Sequence, residues 1–341
     1  MTGWASRLRY DPARPLLESD DEAIVYFARR DLQGEDVVPI ERVWELPAVR
    51  KILRRQQPDG SWKPGKKAKS PGVKYPLIET WRHLRYLVDQ YEMDRRHPAL
   101  ERAAEYVFSC QTEEGDVRGI LANQCAPYYT GAILSLLIKA GYADDPRVEK
   151  GLRWLLDMRQ DDGGWAIGSP GVIGIQGLTA RELADLTSNP ARETARAFDR
   201  SRQFSAAGTG MVLRAFAAHP RHRRSEAAVR AAQLLKSKFF KKDNWPSYRH
   251  PDHWVRFQYP FWWNNLVSAL DLLSLMGFAA EDGDVANALK WLADHQEESG
   301  LWKASYSEIH KAPEGTRAEG ERSWISLAIC RIFKRFYPCS R

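Results

Sequence analysis

Cysteine is scarce in this chain and nowhere closely paired. Cys110, Cys125, Cys330 and Cys339 are its four. Their spacing excludes a disulfide-stapled secreted scaffold and predicts a reducing compartment. No apolar run approaches the roughly 20 residues of a membrane span, and the polar start carries no secretory signal. The expectation is a cytoplasmic protein. Any membrane association would be peripheral, through the basic C-terminal helix from Trp324 to Phe336 with Arg331, Lys334 and Arg335. A long basic tract is absent as well. The net charge of +7 is spread over short clusters at Lys66-Lys67, Arg221 to Arg224, Lys241-Lys242 and Lys334-Arg335. With no nucleic-acid-binding signature beside them, they argue against nucleic acid as a partner and leave room for an anionic ligand such as a diphosphate. No segment reads as a convincing strand.

Tryptophan, by contrast, is abundant, with 13 copies, and much of it falls in a repeated turn. A glutamine, a few polar residues, a glycine, one more residue and a tryptophan recur. The copies are Gln57 to Trp62, Gln160 to Trp165 and Gln296 to Trp302. Weaker copies run from Gln111 through Gly115, with Asp116-Val117 in place of the tryptophan, and from Phe240 to Trp245. Each closes an amphipathic helix. One such unit cannot bury its apolar face alone and needs neighbours.

Two segments show the whole unit, Gly141 to Trp165 and Gly277 to Trp302. Before each glycine lies a more apolar helix, Tyr129 to Lys139 and Trp263 to Met276. After it comes an acidic cap, Asp145 with Pro146 at the first helical position, or Asp284, and then an amphipathic helix. Helices from Pro76 to Tyr91, Pro98 to Cys110, Phe204 to Ala218, Ser225 to Phe239 and Glu321 to Phe336 complete the series. Apolar helices are surrounded on all sides, whereas amphipathic ones keep one wet face. The expected fold is all-α, a closed α/α toroid of about six helical hairpins around a central cavity. Residues 1–35 read as an N-terminal helical extension and 36–341 as the toroid. An insertion at about 166–203 is long enough to be a functional lid.

The residues Lys150-Gly151-Leu152-Arg153-Trp154-Leu155-Leu156, Gln160, Gly163 and Trp165 resemble the repeat of squalene and oxidosqualene cyclases. Ala288, Trp291, Leu292, Gln296, Gly300 and Trp302 match the same pattern. The β-subunits of protein prenyltransferases share this toroid. The resemblance runs from about residue 45 to 337 and is specific for the scaffold rather than for one activity. It implies an isoprenoid or another hydrophobic small molecule as ligand, and chemistry at one end of the inner helices.

Repeat spacing sets Tyr128 against Glu79, and Cys125 against Ser205 and Phe261. This register collects Tyr128, Tyr129, Phe204, Phe261, Trp262, Trp263, Asn265 and Trp324 as substrate-facing residues, with Arg118 and Arg202 as anion holders. Aromatic faces in a dry cavity stabilise carbocations. The Asp-x-Asp-Asp acid of type II cyclases is missing, which leaves Glu79 and Asp199 as candidate proton donors in a divergent terpene cyclase-like enzyme, an isomerase or lyase. A non-catalytic toroid that binds a lipid or a partner is the alternative. A zinc-dependent prenyltransferase-like enzyme comes third. Asn123-Gln124-Cys125 resembles the zinc segment of that family with asparagine in place of aspartate, and His253 is a further ligand candidate. No cofactor is read directly from the residues; magnesium and zinc are the ions these chemistries would use.

Overall fold

The structure is a computed structural model that describes residues 3–65, 72–123, 125–167, 200–244, 250–308 and 316–338. Its α-helices are α1 (Ala13–Leu17), α2 (Glu22–Phe27), α3 (Glu41–Trp44), α4 (Pro47–Leu53), α5 (Tyr75–Leu84), α6 (Pro98–Phe108) and α7 (Pro127–Leu137). They continue with α8 (Pro146–Asp157), α9 (Ala206–Ala218), α10 (Glu226–Lys236), α11 (Leu266–Met276), α12 (Gly283–Asp294) and α13 (Thr316–Phe336). Among the described residues, strand pairing is confined to isolated bridges such as Gln56 with Trp62 and Gln111 with Val117. The fold is all-α, as the helical periodicity predicts. The insertion at 166–203 lies mostly outside the described residues, as does Trp245.

The chain forms two compact units, Ala48–Ala231 and the pair of end segments Met1–Pro47 with Ala232–Arg341. In the first, the apolar and amphipathic helices differ as expected. Every residue of α7 is buried, whereas α8 buries one stripe of Val148, Gly151, Leu152, Trp154 and Leu155. Helix α7 packs along α9, and the two backbones touch at Gly131, where a Cβ would sit 2.6 Å from Val212 Cα. Asp145 caps α8 by accepting from Arg147 N at 2.8 Å. The second acidic cap is shifted. Asp284 lies inside the first turn of α12, and Asp282 holds the N-cap position, where Lys236 Nζ donates to it at 2.8 Å. Helices α5 and α7 continue as π-helical turns over Arg85–Gln90 and Ile138–Tyr142.

The end segments form their unit around α13, which packs on α11 and on α2. Residues up to 35, expected as an extension, supply fully buried side chains, among them Leu16, Ile24 and Phe27. Arg331 lies 4.8 Å from the Phe27 ring centroid and donates to Asp31 Oδ2 at 2.7 Å.

The repeated turn is a clasp with three fasteners. Its tryptophan indole donates to a carbonyl in the last turn of the preceding helix. These bonds run from Trp62 to Ile52, 3.0 Å, from Trp165 to Leu155, 2.7 Å, and from Trp302 to Leu292, 2.7 Å. Such carbonyls have no partner within their own helix. The backbone N–H at the tryptophan position donates to a hydroxyl of the following apolar helix. The acceptors are Thr80 for Trp62, Thr130 for Val117, Thr209 for Trp165 and Ser326 for Trp302.

A glutamine side chain supplies the third fastener. Gln56 donates to Ala99 O at 2.6 Å, Gln111 to Arg147 O at 2.9 Å and Gln296 to Tyr10 O at 3.0 Å. The first copy therefore uses Gln56, one residue before the glutamine expected from spacing. The shared hydroxyls also shift the register of the apolar helices. Thr80 matches Thr130, so Glu79 stands level with Tyr129 rather than Tyr128. Thr130 matches Thr209, which sets Cys125 level with Phe204 rather than Ser205.

Candidate ligand site at the helix starts

The substrate-facing residues expected from the sequence fall into two groups, one in each unit. In Ala48–Ala231, Tyr128 and Tyr129 occupy the first turn of α7, entered through Pro127. Their ring centroids are 4.6 Å apart. Trp81 of α5 meets Tyr129 edge-on at 5.2 Å. Burial pushes the Tyr129 phenol up to about 12, against the opposing pull of Arg82. Glu79, on the same helix as Trp81, accepts from Arg82 Nη1 at 2.6 Å, so its carboxylate stands in an ion pair beside the aromatic step. Asp199 lies outside the described residues.

Arg118, expected to hold an anion, is tied to Asp116. It donates from Nε and Nη2 to the two carboxylate oxygens at 2.9 and 3.1 Å. Asp116 is fully buried and also accepts from the Thr112 hydroxyl. Charges drawn this far from water hold their place by pairing. The sequence presents Asp116 only as part of a missing tryptophan; its spacing from Arg118 was the signal for the ion pair. Arg202 gives its carbonyl to Gln160 Nε2 at 3.1 Å. Phe204 is buried, and its N–H donates to Asp162 at 2.8 Å. These two residues thus help seat the third clasp.

The second group belongs to the unit of end segments. Tyr259 stacks on Trp324 at 6.0 Å and meets Phe261 edge-on at 5.1 Å. The Trp324 indole donates to Asp21 at 3.1 Å. Trp262 and Trp263 are partly exposed. Asn265 is a helix cap. Its Oδ1 accepts from Ser268 N at 3.0 Å, and its own N–H donates to Ser268 Oγ at 2.9 Å, a capping box. A ligand would have to compete with α11 for this side chain.

The zinc candidates do not fit the ion. Arg118 Nη2 is 3.2 Å from Cys125 Sγ, a cation where a second cation would have to sit. His253 Nδ1 lies 2.8 Å from the His250 carbonyl. Zinc wants three or four converging donors, and among the described residues no group of three such ligands includes either residue. A cavity of about 460 Å³ lies within residues 19–46, lined by Val25, Tyr26, Val38, Leu46, Glu22 and Asp36 among others. None of the residues expected to face substrate lines it.

A histidine of α5 that packs against the first clasp gives a pH dependence. His83 lies on α5 with its ring 5.1 Å from Trp62. Burial, and then Arg55 and Arg82, pull its imidazole down to about 4. The unfolded chain protonates near 6.5, so the folded form excludes a proton that the unfolded form accepts. Stability is therefore complete above about pH 6.5 and is lost as the pH falls toward 4. With partial solvent screening the loss is about 1–2 kcal/mol. Urea titrations of wild type and His83→Gln at pH 7 and pH 4.5 should show a smaller acid loss in the variant. Equal losses would remove His83 from the account.

No family model matches the chain. A stretch of 58 residues is 36% identical to squalene-hopene cyclase of Schizosaccharomyces japonicus. It amounts to 17% of this chain and 9% of that enzyme, so the match spans under a tenth of the curated relative. Among solved structures, the chain is similar to the type II terpene cyclase MstE from Scytonema, with 14% identity, 86% of this chain and 98% of that chain covered, and a TM-score of 0.34. It is also similar to a glycosyl hydrolase of family 88 from Bacteroides vulgatus, with 13% identity, 97% and 92% covered, and a TM-score of 0.47. A third is the polysaccharide lyase BACCELL_00875, with 13% identity, 87% and 86% covered, and a TM-score of 0.44.

Proposed function

We propose that the chain is an isoprenoid-handling protein, a divergent terpene cyclase-like enzyme whose substrate lies on the aromatic step of Trp81, Tyr128 and Tyr129. The observation that carries this reading is the step itself: three aromatic rings in contact at the start of α7. Ring faces supply the negative quadrupole that a carbocation needs where water is absent. The squalene cyclase-like repeat and the matched stretch support the isoprenoid class. Glu79 is the candidate acid within the described residues, and Arg82 is its partner.

That ion pair favours a second reading. A carboxylate held by an arginine at 2.6 Å is a poor start for protonating an alkene, and the site would then bind an isoprenoid without turning it over. Incubation with squalene and with geranylgeranyl diphosphate, followed by mass spectrometry of the products, separates the two. The enzyme reading expects a cyclised product that falls at least about 100-fold in Glu79→Gln, the scale on which loss of an acid catalyst is felt, and in Tyr128→Ala. Binding without product, weakened by Tyr128→Ala, supports the non-catalytic reading. Neither product nor binding overturns both.

A further inference from the structure

Away from the aromatic step, α8 and the segment after α9 bring together Glu149, His219 and His222. One ligand atom from each lies within 4.8 Å of the others. His222 Nε2 is 3.0 Å from Glu149 Oε2, and the two imidazole centroids are 4.5 Å apart. Donors bound to one tetrahedral zinc at about 2.0–2.1 Å stand roughly 3.3 Å from one another. The His222–Glu149 pair already meets that spacing through a shared proton, which the ion would displace, and closing the third position takes a side-chain movement of about 1.5 Å on the same scale.

The tautomer of His219 suits the role. This side chain is fully buried, and its Nε2 lies 3.0 Å from the Ala143 carbonyl. A carbonyl only accepts, so Nε2 carries the proton and Nδ1 keeps its lone pair. Histidines that ligate metals are oriented in this way, with the far ring nitrogen donating to a carbonyl or carboxylate. Nδ1 now accepts from Arg221 N at 3.2 Å, a long bond that a metal would displace. Of the neighbouring cations, Arg221 pairs with Asp144 at 3.3 Å, and Arg223 donates from Nε to the His219 carbonyl at 3.4 Å.

We propose that Glu149, His219 and His222 form a site for a divalent transition metal of the zinc class, with water completing the coordination. Two imidazoles and one carboxylate form a borderline donor set that selects such ions over calcium or magnesium. The three residues come from the amphipathic helix α8 and the turn that ends the apolar helix α9, so the ion would tie one to the other. The site is separate from Cys125 and His253 and does not depend on the proposed function.

The test uses the full chain, zinc chloride and equilibrium dialysis, with cobalt(II) absorption reporting the donor set. Wild type should bind one equivalent of zinc in the micromolar range and melt about 5 °C higher in excess zinc, as a ligand of the folded state requires. His222→Ala and Glu149→Gln, both at partly exposed positions whose folding circular dichroism verifies, should each weaken binding by at least about 10-fold. His250→Ala should leave it unchanged. Binding of less than about a tenth of an equivalent, or equal binding in wild type and both variants, overturns the proposal and leaves an ordinary histidine–glutamate pair.

Discussion

Gly60→Ala should lower the stability of the unit containing it by about 2–5 kcal/mol. Two costs add. The residue sits at φ +87°, a left-handed conformation that costs an L-residue about 1–2 kcal/mol. A Cβ there would also overlap the backbone carbonyl of Arg102, at 2.5 Å from its carbon. Overpacking of that kind costs about 1–3 kcal/mol more, and a helix carbonyl cannot turn aside as a flexible side chain could. Gly34 separates the two costs. It is also left-handed, at φ +73°, but a Cβ there meets nothing within 4 Å. Gly34→Ala should therefore lose only the first of the two costs, about 1–2 kcal/mol. Urea unfolding of both variants checks the comparison. Equal losses would show that the close approach of the clasp to α6 does not matter. Gly115, where a Cβ would lie 2.7 Å from Lys150 O, should behave like Gly60.

Trp165→Ala should cost about 3–5 kcal/mol, the range for deleting a fully buried large aromatic side chain. The indole has no exposed surface and stacks on Phe216 at 5.8 Å. Its Nε1–H is also the partner of Leu155 O, so the truncation leaves a buried carbonyl of α8 unpaired. Trp165→Phe isolates that second effect. It keeps most of the ring and loses the bond, and an unsatisfied buried acceptor costs about 1–3 kcal/mol. Denaturant titration of the two variants resolves them. If Phe is as stable as wild type, the indole is filler and the clasp is held by its other fasteners.

The parts of this fold that could be read in advance were the ones that repeat. Helix periodicity, the Asp145-Pro146 start of α8 and the glycine–tryptophan turns each recur or follow local rules, and they were legible. The hydroxyl fastener was not. Thr80, Thr130, Thr209 and Ser326 stand inside apolar helices, where a threonine reads as a branched filler. Their bonds reach a backbone N–H that no local pattern announces. Gln56 and Gln57 differ by one position, and both are polar, so composition could not choose between them; the bond to Ala99 O does. Asn265 was legible as a cap, since a serine follows three residues later, but the aromatic run before it drew the reading toward a ligand. Glu149 and the two histidines are separated by some 70 residues, the span of the His222 contact being 73. Nothing local links them.

The clasp of Gln296 on Tyr10 has a consequence for how the molecule is made. This glutamine donates to Tyr10 O and accepts from the N–H groups of Arg9 and Tyr10, across 286 residues or more. The first 47 residues belong to a unit whose other part starts at Ala232. On a ribosome they leave the exit tunnel ahead of that other part and stay unmatched until it is made, with Leu16, Ile24 and Phe27, buried in the fold, exposed to whatever is near. The middle of the chain, from Ala48 to Ala231, can collapse meanwhile on contacts of its own. The unit Ala48–Ala231 can thus be complete before the two end segments meet. Sites for chaperone capture and proteolytic loss should concentrate around Leu16, Ile24 and Phe27 until α13 is made, even though these side chains are fully buried in the folded unit.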